Sequence, residues 1–201
     1  GIVNNGGTIQ NCYSTGTVGG SSDSSVGGVC GMNNRGGTIS NCYFDSSKCD
    51  KNAVGLNNNG TVEKTEGKTT TQFESGEVAY LLNNSVSDGT QKWYQTIGTD
   101  GAPVLDNTRG TVYYATLLCG GEKNVGNTYA NTQEVSIEHD YNENGFCTKC
   151  GAYQPATLTT DKYDIDGVEG FDEVYEIGNA GQLYWFAALV NGDKRVIKEA
   201  G

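Results

Sequence analysis

The sequence predicts a mainly β protein built from short stacked strands. Gly is very frequent (30 residues) while Pro is nearly absent (2), apolar residues are regularly spaced between Gly, Asn and Thr, and the first third of the chain repeats itself. Gly, Asn and Thr suit tight turns between short strands. No Gly recurs at every third position, which excludes collagen, and the regular apolar spacing argues against disorder.

The repeat is visible by direct comparison of two segments. Residues 4–13 (NNGGTIQNCY) return at 34–43 (NRGGTISNCY), and a shorter copy occupies 54–62 (VGLNNNGTV). A unit of this length cannot bury its own apolar face, but it can when it stacks on its neighbours. We therefore predict a short β-solenoid over residues 1–66, with equivalent residues above one another: Ile9 with Ile39 and Val62, Cys12 with Cys42 as small buried hydrophobes, and Asn11 with Asn41 at a corner where amides bond to backbone.

The repeated pattern Gly-Gly-(Val/Ile)-x-Gly-x-Asn-x-Gly-Thr-Ile-x-Asn-Cys-Tyr resembles the GLUG motif over residues 1 to about 66. That motif occurs in arrays on surface proteins of gut bacteria and in non-catalytic regions of some IgA-cleaving metallopeptidases. The resemblance implies a β-helix-like array and an extracellular or cell-surface location. It implies no catalytic residues.

Residues 67–110 are predicted to form a cap with a helix and a strand. Ser75 is a candidate N-cap of a helix through Asn83, whose apolar face comprises Val78, Leu81 and Leu82. A strand is expected at Trp93-Tyr94 and Ile97, and the unit closes at Ala102–Leu105. A solenoid needs such a cap to cover its last coil. The alternative is that Trp93, Tyr94 and Tyr80 form a sugar-stacking platform.

A small Cys/His module is predicted over residues 111–155. Cys147 and Cys150 form a Cys-x-x-Cys knuckle followed by Gly151, and His139, the only histidine, lies eight residues before it. With Cys119 the set comprises three thiolates and one imidazole, the ligands of a tetrahedral structural zinc site. Because protein groups fill all four positions, no place remains for an activated water, which argues against catalysis.

The chain has seven cysteines, so at least one thiol stays outside any set of disulfides within the chain. The alternatives to zinc are free thiols or, in an oxidising setting, a disulfide between Cys147 and Cys150 with Cys119 unpaired. Cys42 and Cys49 are either a second disulfide or free thiols. A thioredoxin-like redox role lacks support, since no βαβ pattern surrounds the knuckle.

Residues 156–201 are predicted to be a linker and the start of a second repeat array. Thr160–Asp166 reads as an extended segment, and Val196-Ile197 as the beginning of a strand. Between them Asn179 caps a helix, with Gln182 completing a capping box and Gly192 ending it. Its core-facing stripe is expected to comprise Leu183, Phe186, Ala187 and Val190.

Charge limits the ligands of this chain. The net charge of −11 opposes binding to nucleic acids and to anionic membranes. An acidic cluster is interpreted as a solvated face, with calcium as the alternative although the spacing does not fit an EF-hand loop; it comprises Asp161, Asp164, Asp166, Glu169 and Asp172.

These observations favour a structural or adhesive, non-enzymatic region of a bacterial surface or secreted protein, with a glycan or a protein as its partner. No Ser/His/Asp set, Gly-x-Ser-x-Gly or His-Glu-x-x-His is present. The alternative is an ancillary region of a surface peptidase or glycosidase whose catalytic domain lies elsewhere; polysaccharide cleavage within the solenoid has the least support. The chain begins at Gly1 and ends just after an apolar pattern has begun, so we expect a fragment of a longer polypeptide, and its longest apolar run, Leu183–Val190, is too short to span a bilayer.

Overall fold

The structure is a computed structural model that describes residues 1–20, 26–168 and 170–196. Of the described residues, 37% lie in strands and 13% in helices, which confirms the mainly β class. The sheets are small and separate. The chain divides into two compact units, one of residues 1–116 with 127–135 and one of residues 117–126 with 136–201.

Short elements follow one another along the chain. The strands are β1 (Ile2–Val3), β2 (Thr8–Gln10), β3 (Tyr13–Ser14), β4 (Cys30–Asn34), β5 (Thr38–Asp45), β6 (Val54–Asn58), β7 (Thr61–Lys68), β8 (Tyr113–Cys119), β9 (Lys123–Ala130), β10 (Glu134–Ile137), β11 (Thr157–Tyr163) and β12 (Asp172–Glu176). The helices are α1 (Thr70–Glu74), α2 (Glu77–Leu82) and α3 (Ala180–Val190).

Parallel pairing joins the repeats. β4 pairs in parallel with β1 and β6, and β5 pairs in parallel with β2, β3 and β7. Ile9 lies opposite Ile39, and Ile39 lies opposite Val62, as predicted. Ile39 is fully buried (0% exposed) in a cluster with Val3 and Cys42, whereas Val62 in the outer strand is 37% exposed.

Residues with left-handed backbone conformation make the turns between these strands. Asn5 and Gly6 have φ values of +53° and +74°, and Arg35 and Gly36 in the next repeat have +51° and +76°. Two consecutive positive φ values close a tight turn of the kind that Asn-Gly favours. The Gly6 amide donates to the Arg35 carbonyl (3.2 Å), so the turns also bond to one another.

Equivalent polar and thiol residues stack, although not all are buried. Asn41 Nδ2 donates to Asn11 Oδ1 (2.7 Å) and to the Leu82 carbonyl (3.1 Å), so the predicted corner pair is present. Cys42 is buried, as predicted. Cys12 is exposed, so the prediction of its burial is wrong. The reason is its place between β2 and β3, which lie at the outside of the sheet, while Cys42 lies in the central strand β5.

The two outer edges of this parallel ladder differ in charge. β7 at one edge carries Glu63, Lys64, Glu66 and Lys68. Residues 1–14, which contain the strands of the other edge, have no charged side chain.

The segment that follows β7 packs against the side of the ladder that carries Tyr43. Phe73, Val78 and Leu82 form a buried cluster with Tyr43, and Trp93 packs against it. The apolar face predicted for the helix is therefore largely confirmed.

Two local predictions in this segment are wrong. The helix predicted from Ser75 begins at Glu77, and Ser75 is instead the C-cap of α1. The reason is a capping box formed by Thr69 and Gln72, which starts an earlier helix. The strand predicted at Trp93-Tyr94 is reduced to an isolated antiparallel bridge between Tyr94 and Val104.

The last helix begins and ends as predicted. The Gln182 amide donates to Asn179 Oδ1 (2.9 Å), while the Gln182 side chain accepts from the Gly178 amide (2.6 Å) instead of completing the box on Asn179. α3 ends at Val190, and Gly192 follows with φ of +79°. Upstream, residues 160–163 of the predicted extended segment lie in β11, which pairs antiparallel with β12, whereas residues 164–166 lie outside the strand.

The predicted core face of α3 is confirmed only at Phe186, which is partly buried and packs against the Trp185 cluster. Leu183 and Val190 are 55% and 70% exposed and Ala187 is also exposed, whereas Gly181, Gln182 and Trp185 are buried. The helix is apolar on several sides, so its periodicity does not select one face. The large indole of Trp185 takes the core position against Ala156 and Val196. Val196 consequently lies in a helical turn and not in the predicted strand, and Ile197 lies outside the described residues.

We predict that truncating the stacked isoleucine destabilises the first unit. Ile39→Ala removes a fully buried side chain and should lower the free energy of unfolding by about 2–5 kcal/mol. The matched variant Val62→Ala, at the partly exposed position of the same stack, should cost less than about 1 kcal/mol. Urea denaturation measures both, and equal losses would contradict the burial difference.

We also predict a pH-dependent contribution from Asp45, which is 2% exposed. Burial raises the pKa of its carboxyl, but hydrogen bonds from Thr70 (2.9 Å) and the Ser47 amide (2.9 Å), with Lys48 at 3.4 Å, outweigh this and hold the pKa below the ordinary value. Because the pKa of this carboxyl is lower in the folded than in the unfolded protein, the ionised carboxylate stabilises the fold at pH values above the unfolded-state pKa. This stabilisation is lost as the pH falls through the folded-state pKa.

Asp45→Asn should therefore cost about 1–3 kcal/mol at pH 7. The difference in the free energy of unfolding between this variant and the unchanged protein should shrink below about pH 4, where the carboxyl of the unfolded chain begins to protonate. Urea denaturation at a series of pH values measures it. A difference that does not change with pH would show that the charge contributes nothing.

Candidate metal centre

The fold brings the four predicted ligands together within one compact unit. Cys119 is the last residue of β8, and His139 follows β10, the strand paired with β8. The Gly120 amide donates to the Ile137 carbonyl (2.8 Å), which holds the ends of these two strands side by side. Cys147 and Cys150 lie in the following loop, where Tyr141 and Cys147 form an antiparallel bridge.

The distances between the ligand atoms fit one small cation. His139 Nδ1 lies 3.2 Å from Cys119 Sγ and 3.4 Å from Cys150 Sγ, and the sulfurs of Cys119 and Cys147 are 3.6 Å apart. The four ligand atoms all lie within 4.8 Å of one another. A tetrahedron with metal–sulfur bonds of about 2.3 Å and a metal–nitrogen bond of about 2.0 Å has edges of roughly 3.5–3.8 Å. These four residues can therefore hold a metal ion.

The knuckle around Cys147 favours its thiolate. Burial raises the pKa of this thiol, but the backbone amides of Lys149, Cys150 and Asp140, together with the His139 side chain, lower it to about 5. The Gly151 amide donates to the Cys147 carbonyl (2.9 Å), and Gly151 has φ of +75°, which Gly adopts without strain. The loop thus points its N–H groups at the sulfur, as a metal-binding thiolate requires.

The Cys119 thiolate lacks such support without a cation. Burial, together with the neighbouring thiols of Cys150 and Cys147, raises the pKa of the Cys119 thiol to about 12. Crowded sulfurs repel one another once ionised, and a bound divalent cation removes that repulsion. The electrostatics of this group therefore favour a metal ion at its centre.

Gly120 allows the histidine to approach the sulfurs. Its φ is +62°, and a Cβ at this position would collide with the His139 ring. The glycine that directly follows Cys119 in the sequence is therefore a feature that indicates the site, because it leaves room for the histidine ligand. Sequence reasoning missed Tyr141, whose ring lies 5.4 Å from the His139 ring, because a tyrosine two residues from a ligand has no distinctive spacing.

One side of the centre borders a cavity of about 430 Å³. His139 and Cys150, both partly exposed, line it together with Tyr153, Trp185 and Arg195. Cys119 also borders the cavity although it is buried, whereas Cys147 is buried and does not line it. Metal ions and chelators can therefore reach the site through the cavity.

The acidic cluster is partly assembled. Carboxylate oxygens of Asp164, Asp166 and Asp172 lie within 4.8 Å of one another, and each accepts a hydrogen bond from a backbone amide of the same loop. Asp164 and Asp166 are exposed. These three carboxylates could also hold a metal ion, so the solvated face and the calcium alternative both stay predictions. Asp161 lies in β11, and Glu169 lies outside the described residues.

The sugar-stacking platform of Trp93, Tyr94 and Tyr80 is not formed. Trp93 packs edge-on against Tyr13 (5.4 Å) beside the buried cluster. Tyr80 instead lies near Tyr114 (6.1 Å) and Tyr129 (5.7 Å). β8 and β9 supply these partners, and pairing between distant strands is not visible in a local pattern.

Comparisons with known proteins give no family assignment: no protein-family model, curated protein or solved structure matches the chain. Among the described residues, no helix is both long and apolar enough to cross a membrane.

We predict about one metal ion per chain when the protein is purified without added metal. Cys119→Ser and Cys147→Ser should reduce the metal content to near zero because each removes a buried ligand. The matched control Cys12→Ser changes an exposed thiol outside the site and should leave the metal content unchanged. Elemental analysis measures the content, and metal-free protein with Cys147 linked to Cys150 would support the disulfide alternative.

Proposed function

We propose that this chain is a non-catalytic structural and adhesive region of a bacterial surface or secreted protein, and that its Cys/His centre holds a structural zinc ion. The donor set carries the zinc assignment, because three sulfurs and one imidazole nitrogen lie within 4.8 Å of one another. Zinc takes such soft ligands in closed tetrahedral sites. With all four positions supplied by protein, the ion would stabilise the fold and would not activate a water.

We further infer that the parallel strands of residues 1–68 are turns of a short β-solenoid of GLUG type. The in-register stacking of Ile9, Ile39 and Val62 supports this, since each strand lies on its equivalent in the next repeat. Stacked repeats present long exposed faces, which suit binding to a glycan or a protein. The partly exposed Tyr80, Tyr114 and Tyr129 offer aromatic surface for such binding, and Tyr114 is 54% exposed.

The structural role of the centre is clearest in its loop, which holds helix α3. The Gly181 amide in the first turn of α3 donates to the Asn144 carbonyl (2.8 Å). Asn179 Nδ2 donates to Gln154 Oε1 (2.9 Å), and the Gln154 amide donates to the Gly145 carbonyl (2.8 Å). A Cβ on Gly181 would collide with the Gly145 backbone, so the two segments approach as closely as glycine permits.

Aromatic side chains extend this contact. Phe146, one residue before the ligand Cys147, lies 5.9 Å from both Tyr153 and Tyr184, and Tyr153 stacks on Tyr184 at 5.5 Å. An isolated helix of about 11 residues is marginal in water, so α3 depends on what it packs against. The loop in turn depends on the bound ion, because metal binding and folding are coupled in small Cys/His sites.

We therefore expect chelation of zinc to unfold α3 locally. Amide exchange in Ala180–Val190 should rise at least about tenfold when the ion is removed, while β5 in the other unit keeps its protection. Hydrogen–deuterium exchange with mass spectrometry measures both regions. Tyr184→Ala should weaken α3 in zinc-loaded protein without lowering the zinc content.

Two results would reject parts of this proposal. If elemental analysis shows that the ion has been lost and exchange in α3 does not change, the structural role is wrong. If the purified protein contains a metal other than zinc, the identity of the ion is wrong although the site remains.

A further inference from the structure

Cys12 and Cys42 occupy equivalent positions in successive repeats and take no part in the metal centre. Gln10 lies opposite Ser40 just before them, and Tyr13 lies opposite Tyr43 just after them. The Tyr43 amide donates to the Cys12 carbonyl (3.0 Å). The common offset of 30 residues therefore places the two cysteines directly opposite each other in parallel pairing.

The two thiols have the same local conformation. Cys12 Sγ donates to the Gln10 carbonyl (3.0 Å), and Cys42 Sγ donates to the Ser40 carbonyl (3.1 Å). Two identical conformations separated by one strand spacing have Cα atoms about 4.8 Å apart. That separation lies inside the range of about 4.4–6.8 Å that a disulfide spans between Cα atoms. The Cβ atoms are also about 4.8 Å apart, slightly more than the usual range of about 3.5–4.5 Å, so the bond requires a small approach of the two strands and rotation of both side chains away from the Gln10 and Ser40 carbonyls.

Cys30 and Cys49 are the competing partners for Cys42 in this unit, and Cys30 packs in the same buried cluster as Cys42. Cys30 and Cys49 are buried, whereas Cys12 is exposed and reachable by a reagent in solution. β5 continues from Cys42 to Asp45, which carries the chain roughly 10 Å along the sheet before it turns towards Cys49. The directly opposed Cys12 is therefore better placed than Cys49.

We propose that Cys12 and Cys42 form a disulfide between the first two repeats when a low-molecular-weight disulfide is present. The Cys12 thiolate attacks the reagent RSSR, forming a mixed disulfide and releasing RS⁻. The Cys42 thiolate then attacks the Cys12 sulfur, and the second RS⁻ leaves. Two protein thiols are oxidised, their protons pass to the two released thiolates, and RSSR is reduced to two RSH.

This disulfide does not depend on the proposed zinc ion or on the adhesive role. It closes a loop through residues 13–41 and restricts the unfolded chain, which stabilises the first unit. Its partners lie in unit 1, whereas the metal ligands all lie in unit 2.

The test uses the full chain loaded with zinc and incubated with oxidised glutathione. Free thiols are then alkylated in denaturant, and the protein is digested with trypsin without reduction. Cleavage after Arg35 and Lys48 places Cys42 alone in peptide 36–48 and Cys12 in peptide 1–35. We expect these two peptides as one linked species, and a rise of about 5–10 °C in the Tm of the first unit.

Variants separate the possible pairings. Cys30→Ser removes the other cysteine of peptide 1–35 and should keep the link, whereas Cys12→Ser should abolish it. Peptide 36–48 linked instead to peptide 49–51, which contains Cys49, would overturn the proposal. Alkylated Cys42 with glutathione retained on Cys12 would overturn it equally, because the second exchange would not have occurred.

Discussion

Each short strand in residues 1–68 obtains its backbone hydrogen bonds from an equivalent strand in another repeat, and the rest of the first unit depends on that parallel register. Asn33 shows how strict the register is. It is fully buried, and its Nδ2 donates to the carbonyls of Gly37 (3.1 Å) and Thr61 (3.2 Å), so one side chain spans two turns. A Cβ at Gly37 or Gly60 would collide with this amide. Neither glycine has a positive φ, so glycine at those positions reflects the close stacking against Asn33.

The second unit depends on a different kind of constraint. Its buried apolar cluster consists of Ala156, Trp185 and Val196 with a few partly buried neighbours. Small units bury too little apolar surface to be stable by packing alone, and a metal site commonly supplies the remainder. The Cys/His centre, its knuckle amides and the docking of α3 form one connected set of contacts. Loss of the proposed ion would therefore affect the helix more than the repeats.

The parts that could be predicted from sequence are those with a fixed spacing. The offset between repeats placed Ile9, Ile39 and Val62 together, and the knuckle spacing identified Cys147 and Cys150. Cys119 and His139 join them only because β8 pairs with β10. These two residues could therefore be predicted as metal ligands from their residue type and not from a fixed spacing. Where several solutions satisfied the local pattern, the prediction failed: Thr69 competed with Ser75 as a helix start, and α3 offered more than one apolar face. The choice between such solutions is made by non-local packing.

The charges on β7 have a consequence for how the protein behaves at high concentration. An exposed parallel edge is a template for strand addition by another chain, and charged side chains oppose this because stacking would bring them together and strip them of water. Glu63, Lys64, Glu66 and Lys68 place that barrier on the outer edge at β7, whereas the edge formed by β1, β2 and β3 carries none. Strand addition at high concentration is therefore disfavoured at β7, whereas β1, β2, β3 and β6 carry no such electrostatic barrier.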